Sequence, residues 1–141
     1  HDEVRPLVFV PPSPVSTELA RGLLPEVVPH TDAAANAGRA GLLVAALTRR
    51  PELLLAATED RLHQSYRAPA MPESLRLVDS LRQAGVPAVV SGAGPSVLAL
   101  GTSTSPVDVH RWSPPGWQAL DVGVSAVGAS TTMRAEVAAE G

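Results

Sequence analysis

Two stretches of this 141-residue sequence carry residue types suited to holding an anion. The first is Ser91-Gly92-Ala93-Gly94-Pro95-Ser96. Glycine accepts positive φ and presents no Cβ to an approaching group. The amides of Gly92, Ala93, Gly94 and Ser96 can donate hydrogen bonds, whereas Pro95 has none to give. Such a nest suits an oxyanion or a phosphate. The same residues suit a plain hairpin turn equally well. A Walker-type phosphate loop is excluded, because the chain has no lysine and the stretch precedes a strand rather than a helix.

The second stretch is Asp60-Arg61-Leu62-His63-Gln64-Ser65-Tyr66-Arg67. A guanidinium at a helix end can grip a carboxylate with two parallel hydrogen bonds. Taken alone, an arginine there more commonly satisfies helix carbonyls. His63 can serve as a general base, or it can be a half-buried helix residue. Asp32, Asn36 and Arg39 lie nearly in line on another helix. That stripe can face a ligand, or it can pair locally for a few tenths of a kcal/mol. The histidines at 30, 63 and 110 show no metal-ligand spacing with carboxylates, so no metal site is expected.

Composition removes several function classes. Without cysteine there is no disulfide framework, zinc-thiolate site or thiol catalysis. All eleven bases are arginine, so Schiff-base chemistry is excluded. Fourteen acids leave a net charge of −3, and two Trp, one Tyr and one Phe provide no stacking platform. Nucleic acid is therefore not an expected partner. No apolar run reaches the length of a membrane span, so no membrane partner is expected and the cytoplasm is the default location.

The elements that must position these residues follow from pattern. Pro6 to Pro11 predicts a short strand at a sheet edge, since prolines bound it. Ser16 or Thr17 caps a helix to about Leu24, ended by Pro25. A helix follows from an N-cap at Thr31 to about Leu47. Pro51 and Glu52 start another, which runs through Tyr66 and Arg67 to a break at Ala68-Pro69. Pro72 opens a further helix, closed by Gly85 in a left-handed conformation. Ala88-Val89-Val90 and Val97 to Leu100 read as a hairpin around the glycine loop. A short helix from Ser105-Pro106 to Trp112, a strand over Trp117–Val122 and a weaker one over Val124–Thr132 complete the order. This predicts an α+β fold, an antiparallel sheet covered by helices.

Four segments together resemble the homoserine kinase family of GHMP kinases. Val90 to Leu100 resembles the family's third motif. Ser16-Thr17 through Ala20-Arg21 and Leu24-Pro25-Glu26 is similar to the segment after its interdomain strand. His30 to Ala33 with Asn36 to Ala40 resembles the next helix. Leu62-His63-Gln64-Ser65-Tyr66-Arg67 with Met71-Pro72 resembles its His-Gln-Pro-Tyr-Arg stretch, with Ser65 in place of proline. The resemblance implies a ferredoxin-like C-terminal domain over residues 1–132; the Ala- and Glu-rich composition of 133–141 reads as a flexible tail. It implies transfer of the γ-phosphoryl of Mg-ATP to the hydroxyl of L-homoserine, a step of threonine biosynthesis. It puts Arg67 on the homoserine carboxylate, with His63 beside it, and lays Ser91–Ser96 next to the phosphate loop of an N-terminal domain. The family's ATP loop, Pro-x-x-x-Gly-Leu-Gly-Ser-Ser-Ala, does not occur in the sequence. ATP and Mg²⁺ are therefore expected mainly on the chain's own N-terminal domain, outside these residues. The isolated chain is expected to be inactive and able to form a homodimer through the face it exposes. The other readings are a GHMP kinase of another small molecule and a free-standing ferredoxin-like ligand-binding module.

Overall fold

The computed structural model describes residues 1–125. Their centre is a four-stranded, wholly antiparallel sheet in the order β2-β3-β1-β4. The strands are β1 (Val4–Val10), β2 (Ala88–Val90), β3 (Val97–Thr102) and β4 (Gln118–Asp121). β1 is thus an interior strand, not the edge strand its prolines predict. The reason lies in the ladder. An antiparallel residue turns its N–H and C=O to the same neighbour. The Pro6 carbonyl accepts from the Val122 amide. Its missing N–H therefore falls on the β4 side, past the last ladder pair at Leu7 and Asp121, where little is lost.

The register sets two rows across one face. Val90, Val97, Phe9 and Ala119 form one, and Ala88, Ala99 and Leu7 the other. α5 (Pro72–Gln83) covers this face with Leu77, Val78 and Leu81, at the spacing of a single helical stripe. Each large side chain buried here contributes roughly 1.5–3 kcal/mol. Pro72 opens α5 as expected. Gly85 closes it at φ +80°, with Val86 N–H on the Leu81 carbonyl and Gly85 N–H on that of Arg82. Val4, Leu98 and Leu100 alternate to the other face. There they meet Ala46 of α2 (His30–Thr48) and Leu54 and Ala57 of α3 (Leu54–Ala57). α1 (Thr17–Gly22), capped by Ser16, buries Ala20 against the first cluster.

The helix predicted from Pro51 to Arg67 is broken. A 3-10 turn over Pro51–Leu53 leads into α3, the chain leaves the helix at Thr58, and a separate turn, α4 (Gln64–Arg67), follows. Two local groups cause the break. Thr58 Oγ1 donates back to the Leu54 carbonyl at 2.8 Å, and the Asp60 carboxylate takes up the amides ahead of the next turn. α2 begins at His30 with its N-cap at Pro29, two residues before the predicted cap at Thr31. The short helix near Trp112 shrinks to α6 (Val109–Trp112) because Asp108 caps the amides of His110 and Arg111. Val124 and Ser125 form no strand. The rest of the expected Val124–Thr132 strand and the tail over 133–141 lie outside the described residues.

The two loop glycines differ in what surrounds them. Both have positive φ, +61° at Gly92 and +88° at Gly94. A Cβ on Gly92 would meet nothing within 4 Å, whereas one on Gly94 would lie 2.4 Å from Met71 Sδ. Gly92→Ala should cost about 1 kcal/mol from backbone strain alone. Gly94→Ala should cost about 2–4 kcal/mol, since buried Met71 must also repack. Denaturant unfolding of both variants checks this, and equal losses would contradict it.

Candidate functional site

Of the sequence-predicted residues, His63, Arg67 and Gly92 converge at the open edge of β2. Register sends the Val90 amide and the Ala88 carbonyl outward, away from β3. Gln64 Oε1 accepts from the Val90 amide at 2.6 Å, and Arg82 NH1 donates to the Ala88 carbonyl at 3.3 Å. Side chains thus close the edge that would otherwise be a free strand. α4 is thereby tied to the strand that runs into the glycine loop.

That loop is a tight hairpin. Ser91 N–H donates to the Ser96 carbonyl at 2.8 Å, and Gly94 N–H donates to the Ser91 carbonyl at 3.0 Å. Buried Ser74 donates through Oγ to the Pro95 carbonyl at 2.6 Å. The predicted four-amide nest is therefore smaller by one, because the Gly94 amide closes the turn. The amides of Gly92, Ala93 and Ser96 have no protein acceptor among the described residues.

Arg67 points at this hairpin. Its NH1 donates to the Gly92 carbonyl at 3.1 Å and its Nε to the Ala20 carbonyl at 3.2 Å. NH2 has no protein partner among the described residues. Two guanidinium nitrogens are thus held by backbone carbonyls, and the donors of NH2 are left for a ligand. Asp60, His63, Gln64, Arg67, Val89 and Gly92 line a hollow of about 330 Å³. Of the glycine loop, Gly92 alone lines this depression with Arg67; Ser91, Ala93, Gly94, Pro95 and Ser96 do not. Ser65, between Gln64 and Arg67, is exposed and does not line it.

Asp60 is the hub. Its Oδ2 accepts from the amides of His63 (3.0 Å) and Gln64 (2.6 Å). Its Oδ1 meets His63 Nδ1 at 2.8 Å, Asn36 Nδ2 at 3.2 Å and the Leu62 amide at 3.3 Å. The Asp60 side chain is 14% exposed and that of His63 47%. Burial by itself raises the Asp60 pKa. The hydrogen bonds from Gln64, His63, Asn36 and Leu62 outweigh it, so the group sits below its ordinary 3.8.

The Asp32–Asn36–Arg39 stripe takes no part in the hollow. Asn36 Oδ1 accepts from the Arg61 amide at 2.8 Å, and Arg39 puts Nε and NH2 on Glu59 Oε2 at 2.9 and 2.6 Å. Arg61 reaches Asp32 at 3.5 Å. The stripe fastens α2 to the segment that breaks the helix. Asp60, Gln64 and Arg67 fall at helical spacing in the sequence, but nothing in that spacing shows that Asp60 holds Asn36, Leu62, His63 and Gln64. Ser74 and Arg82 went unnoticed, since an isolated serine or arginine on a helix has no distinguishing pattern.

Similarity to known proteins points to one family. The family model described as "GHMP kinases C terminal" matches residues 32–110. A homoserine kinase of Streptomyces avermitilis is 65% identical over 129 residues, covering 92% of this chain, and one of Streptomyces coelicolor is 61% identical over the same length. This chain spans 42% of the length of each. The crystal structure of homoserine kinase from Cytophaga hutchinsonii superimposes with a TM-score of 0.67 at 28% identity, covering 73% of this chain and 33% of that one.

The lowered Asp60 pKa makes stability depend on pH. A group whose pKa falls on folding stabilises the fold above its unfolded pKa and loses that effect as pH drops through the folded one. The Asp60 contribution should be nearly complete above about pH 4 and be lost progressively as pH falls from there through the lower folded-state value. Asp60→Asn should cost about 1–3 kcal/mol at neutral pH and flatten this dependence. Urea unfolding from pH 7 to pH 3 measures it, and equal pH slopes in both proteins would refute it.

Proposed function

The chain belongs to the GHMP kinases C terminal family, and from that premise we propose that it is the acceptor-binding part of a homoserine kinase. The whole protein would move the γ-phosphoryl of ATP onto the side-chain hydroxyl of L-homoserine, giving O-phospho-L-homoserine in threonine biosynthesis in the cytoplasm. The observation that supports the reading is the hollow that Arg67 and Gly92 both line, with Arg67 bonded to the Gly92 carbonyl through NH1. The high identity to two named homoserine kinases favours this acceptor over other small molecules.

The division of labour follows from phosphoryl transfer itself, which depends on positioning and on charge stabilisation around the phosphates. Arg67 offers a planar fork to the acceptor's carboxylate, and His63 stands one turn away on the same hollow. The free amides of Gly92, Ala93 and Ser96 contribute a polar wall where phosphate oxygens would approach. Mg-ATP supplies the transferred group and the counter-charge. Among the described residues, no three His, Asp or Glu side chains gather in a metal-holding set. By resemblance to the kinase family, we assign nucleotide and Mg²⁺ chiefly to the N-terminal domain, and orientation of the acceptor to this one. Among the described residues no helix is long and apolar enough to cross a membrane.

In the full-length protein, Arg67→Ala should weaken homoserine binding by about 2–5 kcal/mol, the range for breaking a hydrogen-bonded charge pair, with the ATP KM almost unchanged. Arg67→Lys should restore only part, because an ammonium lacks the fork. Steady-state kinetics in both substrates decide the matter, and one homoserine KM across all three proteins would exclude Arg67 as the grip. The 141-residue chain alone should show no homoserine-dependent ATP turnover, and measurable turnover would overturn the division of labour.

A further inference from the structure

We propose that Asp60 is a positioning residue for the acceptor site, holding the His63 ring and the turn that carries Arg67 in the orientation that binds the acceptor. This rests on the reading of Arg67 given above. α4 has four residues, and a single turn is far too short to persist by its own hydrogen bonds. Its placement comes from outside. At the leading end, both Asp60 oxygens together accept from the amides of Leu62, His63 and Gln64. At the trailing end, Arg67 bonds the carbonyls of Ala20 and Gly92. Between them, Gln64 bonds the Val90 amide. Asn36 fixes Asp60 in turn, through Nδ2 and through its own bond to the Arg61 amide. The carboxylate is thus the point at which α2, the broken helix and the sheet edge are joined.

The same carboxylate orients the ring. With His63 Nδ1 bonded to Asp60 Oδ1, the proton of the neutral imidazole is held on Nδ1. Nε2 is left as the free nitrogen of a residue that lines the hollow. Among the described residues no other carboxylate bonds the His63 ring, so Asp60 is the group that sets its tilt and its tautomer. An Asn at position 60 would keep one acceptor oxygen for five donors, so part of the network must fail even with the side-chain volume retained.

A double-mutant cycle in the full-length enzyme separates positioning from mere stability. Asp60→Ala should raise the homoserine KM about tenfold, a coupling usual within one hydrogen-bond network, with the ATP KM unchanged. In an Arg67→Ala background the same change should raise it less than about twofold, because the group being positioned is gone. Asp60→Asn repeats the cycle should Asp60→Ala not yield folded protein. An equal rise in both backgrounds, or no rise in the parent, overturns the proposal while leaving Arg67 as the grip. An unchanged homoserine KM in Arg67→Ala alone overturns the reading of the site, and the proposal with it.

Discussion

A sheet edge cannot be left open, and in this chain its closure also builds the hollow. β2 has three residues and one bonded neighbour. Its outward amide and carbonyl must find partners or bind water. Gln64 and Arg82 supply them. Once Gln64 is fixed on Val90, the turn around it can face only one way, and Arg67 arrives over the Gly92 carbonyl. The hydrogen bond that completes the sheet is therefore also the one that aims the cation.

Support for that arrangement comes from both faces of the sheet. On one, Met71 lies beneath Gly94, where only a hydrogen leaves it room, and Ser74 holds the far side of the hairpin. On the other, α2 and α3 pack through Ala46, Leu54 and Ala57, and the Arg39–Glu59 and Asn36–Arg61 contacts carry their position to the helix break. Arg82 adds donors to the Thr58 and Leu55 carbonyls, satisfying the end of α3. No buried side-chain nitrogen or oxygen among the described residues lacks a partner. Such fully satisfied polar networks are stiff, which suits a site whose task is orientation.

Much of this was legible in the residues, and the failures are instructive. The continuous apolar run Val97–Leu100 marked β3, Pro72 with the three-residue spacing of Leu75, Val78 and Leu81 marked α5, and the glycine spacing marked the hairpin. Those signals depend on periodicity and backbone freedom, which are local. The break at Thr58 was not legible, because Leu55, Thr58, Leu62 and Tyr66 keep helical spacing through it. What ends the helix is a carboxylate whose partners include Asn36, far away in sequence. β1 was misplaced for a related reason. Proline signals a missing donor, but only the partner strand's length tells whether that donor was needed. Arg67 and the glycine loop were each ambiguous alone, and their shared hollow is a tertiary fact.

The account stands on the carboxylate of an amino-acid acceptor lying against the outer edge of the Arg67 guanidinium. A crystal structure of the full-length protein with L-homoserine bound tests this most directly. It should show the carboxylate oxygens within about 3 Å of NH1 and NH2, with the Gly92 hairpin forming the adjacent wall. A carboxylate seated elsewhere, with Arg67 still bonded only to the Ala20 and Gly92 carbonyls, would contradict it.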